Sequence, residues 1–258
     1  MRIREMIERL GALILDSVFA LGNFVLFLII AVVYALLPPF KPRLIIRQIR
    51  LIGADSLFLI LLIGTFTGMV LGLQGYNTLS RFGSEGALGA VVALGLVREL
   101  GPVLTAIMIA ARAGSAMAAE LGSMQATEQV DALTVMAINP VQYLVSPRII
   151  AGIISFPILT TIFDVIGIWG GYVVGVGLMG TPSGPYFNGI SGNMTGHDIT
   201  LGLNKSLLFG VVVMWVCCYK GYHAERMATG VSRATTEAVV LSSIMILAWD
   251  YLLGSILL

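Results

Sequence analysis

The chain has 258 residues, of which 57% are hydrophobic and 11% charged, with a formal net charge of +1. Soluble domains carry about 25% charged residues, so the composition excludes a soluble globular protein and indicates an all-α integral membrane protein. No basic cluster interleaved with aromatics appears, which leaves no footprint for nucleic acid, and the adjacent pair Cys217–Cys218 offers no disulfide framework.

Residues 1–37 come first. Ile3, Ile7, Leu10 and Ile14 recur at helical spacing, with Arg4, Glu5, Glu8 and Arg9 off that stripe, the pattern of a helix lying in the membrane interface. Asp16 and Asn23 weaken a simple crossing, and Pro38-Pro39 ends the helix. The expectation is an interfacial or re-entrant helix over residues 1–40, followed by a five-span core over 41–258. The spans fall near 53–75, 86–111, 149–178, 201–219 and 236–258, the third carrying Pro157.

Basic residues orient the chain. Arg2, Arg4, Arg9, Lys41, Arg43, Arg47 and Arg50 precede the first span, Arg112 and Arg148 flank the segment after the second, and Lys220, Arg226 and Arg233 follow the fourth. The opposite side has Arg81 and Lys205. The positive-inside rule then puts the N-terminus, 112–148 and 220–235 in the cytoplasm and the C-terminus outside. Lys205 and Asp250 are expected to be interface anchors near the outer ends of their spans. Gly64, Gly68 and Gly72, Gly167, Gly171 and Gly175, and Ala106, Ala110, Gly114 and Ala118 form small-residue ridges suited to close helix packing. Five spans leave little room for a substrate, whereas a symmetric dimer places a cavity on its axis.

Residues 112–147 are long for a connection but not loop-like. Ala116, Met117, Leu121 and Met124 form one short apolar face and Val130, Leu133 and Met136 a second, with Glu120, Glu128 and Asp131 among them. One or two short amphipathic helices are expected, and the acids suit a protein groove better than an anionic membrane. The chain has no phosphate-binding G-x-x-x-x-G-K-[ST] loop, no metal-ligand spacing and no catalytic triad pattern. It reads as a transport subunit rather than an enzyme, with energy from an ion gradient or a separate ATPase.

The stretch "LGLVRELGPVLTAI" (94–107) sets Arg98 beside Glu99 in an apolar run. Each charge costs on the order of 3 kcal/mol at a bilayer centre. Arg98 falls roughly 20 Å from either end of its predicted span at 1.5 Å per residue. The two side chains leave a helix about 100° apart, so each needs a partner elsewhere. Pro102 frees the carbonyl of Arg98, a feature of cavity linings. Two partners for Arg98 stay open: Asp164, as an interhelical salt bridge, or a phosphate, which a guanidinium binds with parallel hydrogen bonds.

"GMVLGLQGY" (68–76), "RELGPVLTAI" (98–107), "ARAGSAMAAELGSMQATEQVDAL" (111–133) and "GIWGG" (167–171) together resemble the MlaE family, permease subunits of bacterial ABC transporters that move phospholipid across the envelope. The resemblance runs from about residue 45 to the C-terminus. It implies a homodimeric inner-membrane permease whose 112–139 block is a coupling helix docking on a cytoplasmic ATPase subunit, through Arg112, Met117, Glu120, Leu121, Met124, Glu128 and Asp131. It implies a lipid pocket at the dimer axis with Leu71, Leu79, Phe82, Arg98 and Glu99. The implied partners are a STAS-domain subunit, a hexameric MCE-domain periplasmic protein and a periplasmic lipid carrier, with ATP and Mg on the ATPase and no cofactor on this chain. Phe82 stands where relatives can carry Tyr, Gln125 where Arg is frequent and Asn139 where Asp is frequent. The expected function is phospholipid movement between inner and outer membranes that maintains outer-membrane asymmetry. The rivals are a proton-driven secondary transporter using Glu99 and Asp164, and an importer of another lipid such as a sterol.

Overall fold

A computed structural model describes residues 2–37 and 41–257, with side chains described at Leu15, 18–37 and 41–256. The described residues contain helices and turns and no strand. In hydrocarbon every backbone group must be satisfied within its own segment, and a chain this apolar meets that demand as helices.

The helices are α1 (Arg2–Leu36), α2 (Pro42–Ile49), α3 (Asp55–Leu79), α4 (Leu88–Gly95), α5 (Gly101–Ile109), α6 (Ser115–Ala126), α7 (Gln129–Val135), α8 (Ser146–Tyr172), α9 (Ser183–Asn193), α10 (Gly196–Tyr222) and α11 (Ala228–Leu257). Wide turns at Arg50–Ala54, Leu96–Leu100, Ala110–Gly114 and Val141–Val145 join several of them without a break. Thus α4, α5 and α6 form one rod over Glu85–Ala126. Six helices among the described residues are long and apolar enough to cross a membrane: Val18–Leu36, Pro42–Phe82, Glu85–Ala126, Val141–Leu178, Gly196–Tyr222 and Ala228–Ile256.

The five expected spans each match one of these helices, and the helices are longer than hydropathy alone indicates. The first helix differs from the re-entrant form considered for it. It runs unbroken from Arg2 to Leu36, and Val18–Leu36 qualifies as a sixth potential span. One face of α1 packs on the bundle: Phe24 stacks on Trp215 with ring centroids 3.9 Å apart. The Trp215 indole N–H donates to the Phe24 carbonyl at 2.9 Å. Phe27, Ala31 and Ala35 continue that buried face. The apolar stripe Ile3–Ile14 and Pro38-Pro39 lie outside the described side chains.

The glycine ridges meet each other. In α3, Gly64, Gly68 and Gly72 are buried on the face toward α8. A Cβ on Gly68 would overlap the Gly167 carbonyl, and one on Gly72 would lie 2.9 Å from the Gly171 carbonyl oxygen. The opposite face of α3 exposes Phe58, Leu62, Phe66 and Val70. One stripe makes a backbone-to-backbone seam and the other presents apolar surface outward. The small residues of α5 and α6 pack on α10 in the same way: a Cβ on Gly221 would lie 2.7 Å from the Ala118 carbonyl oxygen. Cys217 and Cys218 are buried free thiols, and Cys217 Sγ lies 3.6 Å from Ser242 Oγ.

Candidate functional site

The turn Leu96–Leu100 is where the rod departs from regular α geometry. Pro102 cannot donate to the Arg98 carbonyl, and Gly101 N–H instead reaches back five residues to the Leu96 carbonyl. Such widened turns recur at functional positions. Here the turn presents Arg98 and Glu99 to α10 and α11.

Arg98 pairs with Asp198 and not with Asp164, one of the two partners left open by the sequence. Arg98 Nε donates to Asp198 Oδ1 at 2.7 Å and Nη2 approaches the same oxygen at 2.5 Å. Asp198 is fixed independently, because its Oδ2 accepts from Thr195 N–H at 2.7 Å and Thr195 O–H at 2.8 Å. This reciprocal Thr195–Asp198 cap starts α10. The carboxylate therefore closes a helix end and holds a guanidinium at once. Arg98 keeps 35% side-chain exposure, and Nη1 has no partner among the described residues.

Glu99 turns to Lys205, whose ammonium lies 2.7 Å from Glu99 Oε2 and 2.8 Å from Asp250 Oδ1. Lys205 has no exposed side-chain surface. This corrects the reading of Lys205 and Asp250 as interface anchors: they join α10 to α11 by an ion pair whose ammonium is buried and whose carboxylate is partly exposed. Burial of an ammonium is tolerated only with compensating charge, and two carboxylates supply it. Asp198 and Lys205, seven residues apart, lie on one face of α10. The cluster sets two cations against three carboxylates.

Asp164 sits elsewhere. It is buried on α8 with Oδ1 unpartnered, packed where a Gly101 Cβ would stand. With Thr160, Val97, Met194 and Ile199 it lines a cavity of about 150 Å³. Leu71 and Leu79 are partly buried on α3, and Phe82 is 77% exposed just beyond it. These three are carried on or just beyond α3, whereas Arg98 and Glu99 pair with Asp198 and Lys205 of α10.

The expected coupling residues divide. Arg112 donates to Ser56 Oγ at 3.1 Å, and Glu120 Oε2 pairs at 2.6 Å with Arg148, itself 2% exposed. Met117 and Leu121 have no exposure and Met124 packs against the core. The physical reason is that α6 prolongs the rod with no breaker between Ala110 and Ala126, so its apolar face seals against α10 and α11. Of the one or two short helices expected here there are two, and the first, α6, is the end of the rod. What the segment offers outward is Glu128, Val135 at 87% exposure and Met136 at 60%, while Asp131 is bridged at 2.8 Å by Arg226. Glu128 and Ala137 both hold φ of 58°, bracketing α7 with left-handed turns.

On the face of the bundle away from α7, the Tyr186 hydroxyl in α9 donates to the Ile168 carbonyl at 2.9 Å, and burial pushes its pKa up to about 12.

Sequence reasoning missed Asp198, although Thr195-x-x-Asp198 is a legible capping signal. Lys205 was visible as a cation in an apolar run; its two acids were scattered over 150 residues of chain and carried no common spacing.

Comparison with known proteins adds the family. The model of Permease MlaE matches residues 45–256. The intermembrane phospholipid transport system permease protein MlaE of Haemophilus influenzae is 42% identical over 99% of this chain and 98% of its own length. A probable ABC transporter permease protein of Rickettsia typhi is 44% identical over 92% of each chain. The chloroplastic protein trigalactosyldiacylglycerol 1 of Arabidopsis thaliana is 35% identical over 81% of this chain and 60% of its own. With a match that spans all of the helical core from α3 to α11, the chain belongs to the MlaE permease family.

Proposed function

We propose that this chain is the membrane-embedded permease of an ABC transporter that moves phospholipids between the inner and outer membranes and so maintains outer-membrane asymmetry. The observation that carries the reading is the near full-length similarity to a phospholipid transport permease. It is a multi-pass inner-membrane subunit, with the N-terminus and the α7 face cytoplasmic and the C-terminus periplasmic. ATP and Mg bind on a separate ATPase subunit. That subunit docks on the outward surface around α7, where Val135 and Met136 stand exposed between two left-handed turns. Buried Met117 and Leu121 transmit the movement as part of the rod rather than touching the partner.

Two copies pack as a homodimer, and Leu71, Leu79 and Phe82 of both line the acyl-chain pocket. Arg98, held by Asp198 on one side, offers its remaining donors to a phosphate. Glu99 acts through Lys205 to hold the turn in place. A STAS-domain subunit on the ATPase, a hexameric MCE-domain protein on the periplasmic face and a soluble carrier complete the route.

The test is reconstitution. Proteoliposomes holding this chain with its co-purifying ATPase should transfer fluorescent phospholipid to an acceptor protein only with ATP and Mg. Transfer by the isolated chain on a pH gradient would overturn the reading in favour of proton coupling.

A further inference from the structure

The segment Lys41–Ala54 carries Lys41, Arg43, Arg47 and Arg50 and no acid. It runs beside α8, and between them lies a slot of about 360 Å³. Ile46 and Leu57 form one wall and Ile158 and Ile162 the other; Arg50 and Ser155 are its only polar side chains. Arg50 is exposed at the end of α2. Ser155 is 2% exposed, and its Oγ has no hydrogen-bond partner among the described residues. It faces Gly53, where a Cβ would lie 3.6 Å from the hydroxyl.

The polar groups have an order. Arg50 lies toward the basic end, beside Ile46 and Ile49 of α2. Ser155 stands level with Gly53, about one turn further in. Beyond it Leu57 on α3 and Ile158 and Ile162 on α8 leave purely apolar walls. Cation, hydroxyl donor and apolar channel follow one another as phosphate, ester carbonyl and acyl chain do in a glycerophospholipid. A guanidinium takes a phosphate with parallel hydrogen bonds. A buried hydroxyl left unpaired is costly, and an ester carbonyl can accept its proton. The surrounding positive charge favours a headgroup bearing an anion over a neutral one.

We propose that this slot binds one glycerophospholipid of the leaflet on the basic face, with its phosphate on Arg50, an ester carbonyl on Ser155 and one acyl chain between α3 and α8. The site stands whether or not the chain transports lipid, because it rests on residues remote from the Arg98–Lys205 cluster.

Benzoylphenylalanine placed at Ile158, and at Val165 as an exposed reference on the same helix, tests it. The full chain is loaded in vesicles of phosphatidylethanolamine and phosphatidylglycerol, exchanged into lipid-free detergent, irradiated and weighed by intact mass spectrometry. The Ile158 position should retain a phospholipid adduct after exchange, and Val165 should lose its own. Arg50→Ala should lower the Ile158 adduct about tenfold, the loss of one charge-assisted contact, with part of it restored in Arg50→Lys. Gly53→Phe, which fills the slot, should abolish it at an unchanged melting temperature; if that variant fails to fold, the surface Arg50 series decides. An Ile158 adduct that washes out as the Val165 adduct does, or one that joins a second protein chain, overturns the proposal.

Discussion

At the scale of single residues, a fully buried ammonium survives in this bundle because two carboxylates from different helices reach it. Lys205→Met would leave Glu99 and Asp250 without a counter-charge. Glu99 is 41% and Asp250 20% exposed, so water screens the two left-over carboxylates in part, and a fall in melting temperature in detergent is expected. Adding Glu99→Gln should recover part of that loss, a coupling that a double-mutant cycle measures. Arg98→Ala should behave differently. Asp198 keeps both hydrogen bonds from Thr195, so the fold should persist, while on the proposed phosphate-binding role of Arg98 the ATP-driven lipid transfer should fall about tenfold or more. The need of Arg98 and Glu99 for partners elsewhere is legible in the sequence, because adjacent residues diverge around a helix. The identity of the partners is not. Asp164 lies within a predicted span, whereas Asp198 falls just before one, in the polar run Thr195–Thr200 that caps α10, so depth along the sequence points away from it.

At the scale of elements, the glycine seam between α3 and α8 is the part of the fold that small-residue spacing foretells most directly. Gly68→Ala would drive a methyl into the Gly167 carbonyl, and overpacking of this kind costs about 1–3 kcal/mol or more. Gly95→Ala, with no atom near its missing Cβ, should be neutral or slightly stabilising on the same thermal assay. The spacing alone could not say which ridge meets which, since three were available. Helix ends were harder to read: hydropathy stops near residue 111, yet the rod continues to Ala126 because Ala, Gly and Ser there are small enough to pack on α10 without being strongly apolar. In α9, Tyr186→Phe removes one buried hydrogen bond and should cost about 1 kcal/mol. A raised tyrosine pKa means the folded state holds the proton more tightly. The contribution is therefore whole below the ordinary value of 10.0 and fades as pH climbs toward about 12.

At the scale of the whole molecule, membrane character, helical class and family were all readable from composition and a few motifs, whereas the division of labour along residues 112–139 was not. Amphipathic spacing cannot distinguish an apolar face turned to a partner from one turned to the chain's own helices. The structure assigns Met117 and Leu121 to the interior and Val135 and Met136 to the outside. Val135→Asp is therefore expected to abolish co-purification of the ATPase at unchanged yield and melting temperature, while Met117→Asp should lower the yield itself. The two ion pairs on α10 also restrict how the bundle can move. Arg98 and Glu99 are neighbours, yet they grip opposite charges seven residues apart on one helix. They act as a key with two teeth of opposite sign: a slip of α10 by one turn would align neither tooth with an acid or a base of the right sign. On the proposed function, a stroke driven from the α7 end would carry α10 and the rod together as a single lever rather than slide one past the other.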